Sequence, residues 1–456
     1  MVSHDQAKNV RTVGRRTLLK SSAALGVTAA IAGSALTGAR AQSATPSAST
    51  GAARNIIFMM GDGMGQAHRE FGQLVTVGPY ATLVMDSLPV LGLQGTDSVT
   101  RDANELVTDS AASATAFATG HKSYNGAIGV DIDGNEVTNL AEIAKAAGKS
   151  VGLVSTSQVT DASGAAFAAH VDDRGKQSEI ARQMITDAKV DVILGGGEDR
   201  WLPAGQPGAF PDNPAEDPEE ESMSDQGDLI AEAQGIGYEY VSDAAGLAAA
   251  KGPLLLGLFS NEEMFQQFPE GEGDIYDPVV SLDDMVKKAI EILSQNPNGF
   301  LLFVEEEAVD EFSHANNATY TLKSVQELDK AVKTAVDFAT EDGETLVVVT
   351  ADHECGGLTI TGVGEVESSA SDGPFTAFGT GYEFQVNWTT TGHTGVRVPI
   401  TAFGPASETF AGYYDDTQIF VKLVNAYGLE VPAGAGETPI PGVPASDATP
   451  AATPAS

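Results

Sequence analysis

Leu346-Val-Val-Val-Thr350-Ala-Asp352-His353 is a run of apolar and β-branched residues that ends directly on a carboxylate and an imidazole. An uninterrupted run of this length reads as a strand buried on both faces, the habit of parallel sheets. Residues 56–60, 151–155, 190–194, 254–259, 300–304 and 398–403 repeat the pattern. Between them, 139–147, 177–188, 282–293 and 322–338 place apolar residues at helical spacing. Strand and helix signals that alternate in this way predict an α/β fold, a three-layer α/β/α sandwich around a large, mainly parallel central sheet.

Three more of these runs lead towards an acid. Residues 56–60 enter Gly61-Asp62-Gly63, 300–304 enter Glu305, and 151–155 precede Asp161 by a short gap. In doubly wound sheets ligands bind beyond the carboxyl ends of the strands, so Asp62, Asp161, Glu305 and Asp352 are expected to converge. A single Asp after a strand is more often a helix cap. Four together, with histidines beside them, are not explained that way.

Asp310 and His314 are four residues apart, share a helix face and can chelate one cation. Asp352 and His353 form a second nitrogen and oxygen pair, and His393, in Thr391-Gly-His-Thr-Gly395, can complete either set. Imidazole with carboxylate suits zinc, and an all-oxygen subset suits magnesium. Cys355, the chain's single cysteine, reads as a buried packing residue rather than as a thiolate ligand, and it excludes any intrachain disulfide. The Ala-rich stretch after Asp109-Ser110 predicts a helix with Ser110 in its first turn. Backbone N–H groups there favour an anion, and a neighbouring cation can hold the serine as its alkoxide.

The chain carries 25 basic and 63 acidic residues, a formal charge of −38. That sign repels nucleic acid and anionic membranes. A site for an anionic substrate must therefore supply its own positive charge, which bound divalent metals can do.

Taken together, Gly61-Asp-Gly-Met-Gly65, Thr108-Asp-Ser-Ala-Ala-Ser-Ala-Thr115, Val159-Thr-Asp-Ala-Ser163 with Ala165-Ala-Phe-Ala-Ala-His-Val171, the spacing of Glu305, Asp310 and His314, Thr350-Ala-Asp-His353 and His393-Thr-Gly395 resemble the alkaline phosphatase family, in family order, over roughly residues 54–430. The resemblance implies two zinc ions and one magnesium ion. Ser110 matches the phosphorylated nucleophile. Asp310, His314 and His393 match one zinc site, and Asp62, Asp352 and His353 the second. Asp62, Asp161, Ser163 and Glu305 match the magnesium site, and Arg174 the phosphate-gripping arginine. The reaction implied is hydrolysis of small-molecule phosphate monoesters by two in-line displacements, through phosphoserine. Ser163 stands where many relatives have threonine, and Glu311 where the best-known bacterial relatives have a basic residue. Sulfatases of the same superfamily need a C/S-x-P-x-R setting that Ser110 lacks, and diesterases often use threonine and no such arginine. A non-catalytic, acidic cation-binding protein would need neither Ser110 nor histidines at metal spacing.

Arg15-Arg16, an uncharged stretch at 21–39 and Ala39-Arg-Ala41 read as a Tat-type signal peptide over 1–41. The mature protein is then expected in the periplasm, at the cell surface or outside the cell, with no membrane partner and a homodimer left open. Residues 42–53 read as a flexible linker, 54–432 as the catalytic domain with an acidic insertion at about 198–243, and 433–456 as a disordered tail rich in Ala, Pro, Thr and Ser.

Overall fold

The computed structural model describes residues 52–99, 106–210, 221–265, 276–366 and 370–437. The expected signal peptide, nearly all of the linker and most of the tail lie outside these residues. Along the chain the strands are β1 (Asn55–Gly61), β2 (Val90–Gly95), β3 (Ser150–Gln158), β4 (Val192–Gly196), β5 (Glu239–Val241), β6 (Leu255–Leu258), β7 (Phe300–Glu306), β8 (Thr345–Thr350), β9 (Glu354–Cys355), β10 (Thr359–Thr361), β11 (Ser371–Thr376), β12 (Glu383–Asn387), β13 (His393–Thr394), β14 (Val398–Phe403) and β15 (Gly412–Asp415). Ten of them form one sheet in the order β15-β2-β14-β8-β1-β7-β3-β4-β6-β5. Only β14 runs against its neighbours in that sheet, so the sheet is mainly parallel, as the apolar runs predict.

Alternation along the central strands divides the interior into two cores. Ile56, Phe58 and Met60 of β1 join Phe117, Phe167, Ile180 and Phe420 in one. Ile57 and Met59 face the other, with Met285, Val286, Val325 and Leu328. Strand residues point to opposite faces in turn, and helices cover both: Ser110–Thr119, Gln177–Thr186 and Thr417–Ala426 on the first side, Leu282–Leu293 and Ala318–Asp342 on the second. This is the expected three-layer sandwich. A separate three-stranded sheet, β10-β12-β11, closes its own small core around Phe71, Leu358, Val386 and Trp388.

The sheet order sets the site. β8, β1, β7 and β3 are adjacent, and their register aligns Met60 with both Thr350 and Glu305, and Glu305 with Ser155. The residues that follow these positions therefore emerge side by side at one edge.

The stretch 198–243, expected as an acidic insertion without periodicity, contains a 3-10 turn at Glu198–Arg200, a helix at Leu229–Ile236 and the edge strand β5. Residues 211–220 within it lie outside the described set. β5 has only three residues, too few for the alternation of a strand to register, and Asp228 caps the helix through a bond from Ala231 N–H (2.8 Å).

Aromatic packing holds the serine-bearing helix to the sheet. Phe117 of Ser110–Thr119 lies 5.4 Å from Phe58, and Phe303 of β7 lies 4.6 Å from Phe167, ring centre to ring centre. Phe303→Ala is expected to lower stability by about 3–5 kcal/mol, the cost of emptying a buried aromatic site. The midpoint of denaturant unfolding measures this, and an unchanged midpoint contradicts the packing described.

Candidate metal and phosphoryl site

Asp62 leaves the end of β1, and its own N–H donates to Glu306 O (3.1 Å). Asp352 follows β8 and is fully buried; its Oδ1 accepts from the N–H of Gly63 (3.1 Å) and of His353 (2.9 Å). His353 brings its Nε2 to 3.1 Å from Asp352 Oδ2 and 3.5 Å from Asp62 Oδ1. Asp310 and His314 sit on one face of the short helix Ala308–His314, as their spacing predicts, with His314 Nε2 2.9 Å from Asp310 Oδ2. His393 arrives from β13. Its ring stacks on His353 at 3.6 Å, its Nε2 lies 3.1 Å from that of His314, and its Nδ1 is 2.9 Å from Thr108 O.

Two overlapping groups result. Donor atoms of Asp62, Asp310 and His353 lie within 4.8 Å of one another, and so do those of Asp310, His314, His393 and Cys355. Cys355 is fully buried, as expected of a packing residue, but the atoms around it include metal-type donors. Glu305 and Ser163 stand beside the first group. Ser163 Oγ is 3.5 Å from Asp62 Oδ2, and Glu305 Oε2 accepts from Ser155 Oγ (2.6 Å).

Asp161 occupies the N-cap position of the helix Ala162–Ala166 yet makes no cap bond. Its carboxylate turns instead to Arg174, 2.8 Å from Nη2. Arg174 Nη1 reaches Asp109 Oδ2 at 3.5 Å, so the arginine answers Asp161 and Asp109, while the adjacent Asp172 pairs with Lys176. Asp109 is the true cap: its side chain accepts from Ala112 N–H (2.9 Å) and Gly126 N–H (2.8 Å). Ser110 thus opens the helix Ser110–Thr119, and its Oγ lies 3.3 Å from His353 Nε2.

The electrostatics follow from burial of like charges. Burial, with Asp352, Asp310 and Glu305 nearby, pushes the Asp62 carboxyl well above its usual range. Burial also lifts Glu305, to about 8, despite the Ser155 hydroxyl. For Asp310 burial pulls upward, but hydrogen bonds from His314 and His393 outweigh it and hold the carboxyl well down. His314 rises to about 9 through its bond to Asp310, and burial lowers His353. Burial, with Asp310 beside it, pushes the Cys355 thiol far up. Burial pushes the Glu307 carboxyl well up, and the negative charge of Glu311, on the same short helix as His314, adds to that rise and slightly to the rise at His314.

Asp62 Oδ1, Asp310 Oδ1, Asp352 Oδ2 and His353 Nδ1 are buried and have no hydrogen-bond partner among the described residues. Buried polar atoms are nearly always satisfied, and these four belong to residues that could serve as metal ligands. The residues therefore fit divalent cations: mixed imidazole and carboxylate donors, closely spaced and short of partners. Ser155 and Asp109 were not singled out from the sequence. Ser155 could have been found from the register, since it pairs with Glu305 across β3 and β7. Asp109 carried a signal only as a cap.

A parallel α/β sheet whose strand ends gather such a cluster beneath a serine at a helix N-terminus defines a metal-binding hydrolase. Residues 53–377 match the family model described as alkaline phosphatase. Alkaline phosphatase of Escherichia coli is 33% identical over 444 residues, covering 87% of this chain and 90% of that protein. Streptomycin-6-phosphate phosphatase of Streptomyces griseus is 30% identical, over 88% of this chain and 97% of that one. The structure of alkaline phosphatase from the Antarctic bacterium TAB5 superposes with a TM-score of 0.67 at 30% identity, covering 84% and 99% of the two chains. The chain belongs to the alkaline phosphatase family, and it is an enzyme of that family, a phosphate-monoester hydrolase.

Gly63 joins the two halves of the cluster. It has φ +64°, and a Cβ there would lie 2.3 Å from Asp310 Oδ1 and 2.9 Å from Cys355 Cβ. Gly63→Ala is expected to cost roughly 1–3 kcal/mol of stability and to displace the Asp310 carboxylate. Chemical denaturation with a crystal structure of the variant checks both, and an unmoved Asp310 at full stability contradicts the close fit.

Proposed function

We propose that the enzyme is exported and acts through a phosphoserine intermediate at Ser110, with two zinc ions and one magnesium ion. The observation that carries this reading is the position of Ser110, buried in the first turn of its helix with Oγ 3.3 Å from His353 Nε2. Asp310, His314 and His393 would hold one zinc, Asp62, Asp352 and His353 the other, and Asp62, Asp161, Ser163 and Glu305 the magnesium. In support, a variant of the TAB5 enzyme has been solved with Mg bound in its M3 site. When bound, the cations supply Lewis acidity and positive charge, favouring an ionised serine and a departing alkoxide.

The chain's own groups do the rest. Ser110 Oγ attacks phosphorus; the Oγ–P bond forms as the ester O–P bond breaks, and water then cleaves the Oγ–P bond to release phosphate and restore the serine. Asp109 fixes the turn that carries Ser110, and the N–H groups at the start of the helix would face the transferred phosphoryl group. Arg174 offers a planar fork to two non-bridging oxygens, a grip that lysine cannot copy. Asp161 and Asp109 hold that fork in place.

Export rests on the twin arginine and the Ala39-Arg-Ala41 site. Among the described residues no helix is long and apolar enough to cross a membrane. Protein recovered outside the cytoplasm should begin at Gln42, and an uncleaved N-terminus there contradicts the cleavage site.

Ser110→Ala is expected to cut monoester turnover by several orders of magnitude while keeping the fold. Retention of more than about a tenth of the wild-type kcat removes Ser110 as nucleophile.

A diester carries a substituent on one of the oxygens that the guanidinium would grip. Arg174→Ala should therefore lower monoester kcat/KM by about 2–4 kcal/mol equivalent and diester kcat/KM much less. Rates on p-nitrophenyl mono- and diesters decide this, since an equal loss on both takes Arg174 out of the phosphate site.

A further inference from the structure

Cys355 is the chain's single cysteine, and two backbone contacts fix where its side chain points. It pairs across β9 and β13 with His393, and its N–H donates to Gly63 O at 3.0 Å. The side chain is completely buried, but its surroundings include more than hydrocarbon. Sγ belongs to a group in which Asp310, His314 and His393 each bring one donor atom, all four atoms within 4.8 Å of one another. Asp310 Oδ1 is buried without a nitrogen or hydroxyl partner, the Cys355 thiol is a hydrogen-bond neighbour of the Asp310 carboxylate, and Oδ1 borders the same bare Gly63 Cα as Cys355 Cβ does. A carboxylate oxygen and a sulfur thus flank one glycine that leaves room for both.

We propose that Cys355 Sγ is a fourth protein donor, as thiolate, to the divalent cation held by Asp310, His314 and His393. The inference rests on the metal reading above and adds a ligand that the family pattern does not include. On binding, the S–H bond breaks, its proton passes to solvent and a sulfur lone pair goes to the cation. Asp310 and Cys355 then bring two negative charges against two neutral imidazoles, which neutralises a divalent ion inside the fold. Thiolate sulfur prefers zinc and cobalt to magnesium or calcium. The donor set thus separates the two cation classes: the sulfur-bearing site selects zinc, while the oxygen-rich surroundings of Asp62, Ser163 and Glu305 suit magnesium.

X-ray absorption at the zinc edge of the wild-type, zinc-loaded protein tests this without any variant. A sulfur scatterer at about 2.3 Å is expected. In the cobalt-substituted protein, thiolate-to-metal charge-transfer absorption in the near ultraviolet should appear and vanish in Cys355→Ser. The same variant should release one metal to a chelator at least tenfold faster than wild type. A metal-loaded protein whose edge contains only nitrogen and oxygen overturns the role of Cys355 alone. A protein that retains no metal overturns it together with the reading on which it rests.

Discussion

Asp62, Asp310 and Asp352 are buried at the ends of neighbouring elements, close enough for their charges to oppose one another. Removing carboxylates from water is costly, and placing them together adds repulsion. The neighbouring histidines relieve part of this: His314 and His393 hold Asp310 ionised, whereas Asp62 and Glu305 are pushed towards the neutral form. The three carboxylates are themselves buried, so water does little to answer the remaining charge, and the donor groups around them suit completion by cations. The two cores, the parallel strand order and the glycine at position 63 all serve to hold that costly arrangement in place.

The same constraint accounts for the contrast between the whole chain and its centre. A formal charge of −38 repels a phosphate ester. Arg174 and the start of the helix Ser110–Thr119 bring hydrogen-bond donors to one point, but Asp161 and Asp109 flank the guanidinium, so the positive charge for an anionic substrate has to come from bound cations. Asp109 links the parts: one carboxylate caps the serine helix, ties down Gly126 and steadies the arginine. Positioning of Ser110, the proposed nucleophile, and of Arg174 therefore share a residue.

The central strands were legible because burial on both faces leaves uninterrupted apolar runs, and the acids at their ends followed from the rule for parallel sheets. The outer parts were not. β2 exposes Leu91 and Leu93 while burying Gln94, so its pattern contradicts a simple inside and outside. The helix Gln66–Thr76 buries His68 and Arg69, which composition alone assigns to the surface. At the site, His314, His353 and His393 were readable from spacing, whereas the partner of Arg174 was not. Asp172 and Asp173 lie nearest to it in the chain, but the fold brings Asp161 and Asp109 to it instead. For Cys355, the cross-strand pairing with His393 is a tertiary fact that no local pattern contains.

Metal analysis joined to activity tests the central claim most directly. Purified protein is exhaustively dialysed against EDTA, assayed for zinc and magnesium, and then reloaded with each ion separately and together. The account predicts that phosphomonoesterase activity falls with the metal content, that zinc restores part of it, and that zinc with magnesium restores it fully. Full activity in protein shown to be free of metal would contradict the account, because the buried carboxylates would then have no cation to complete them.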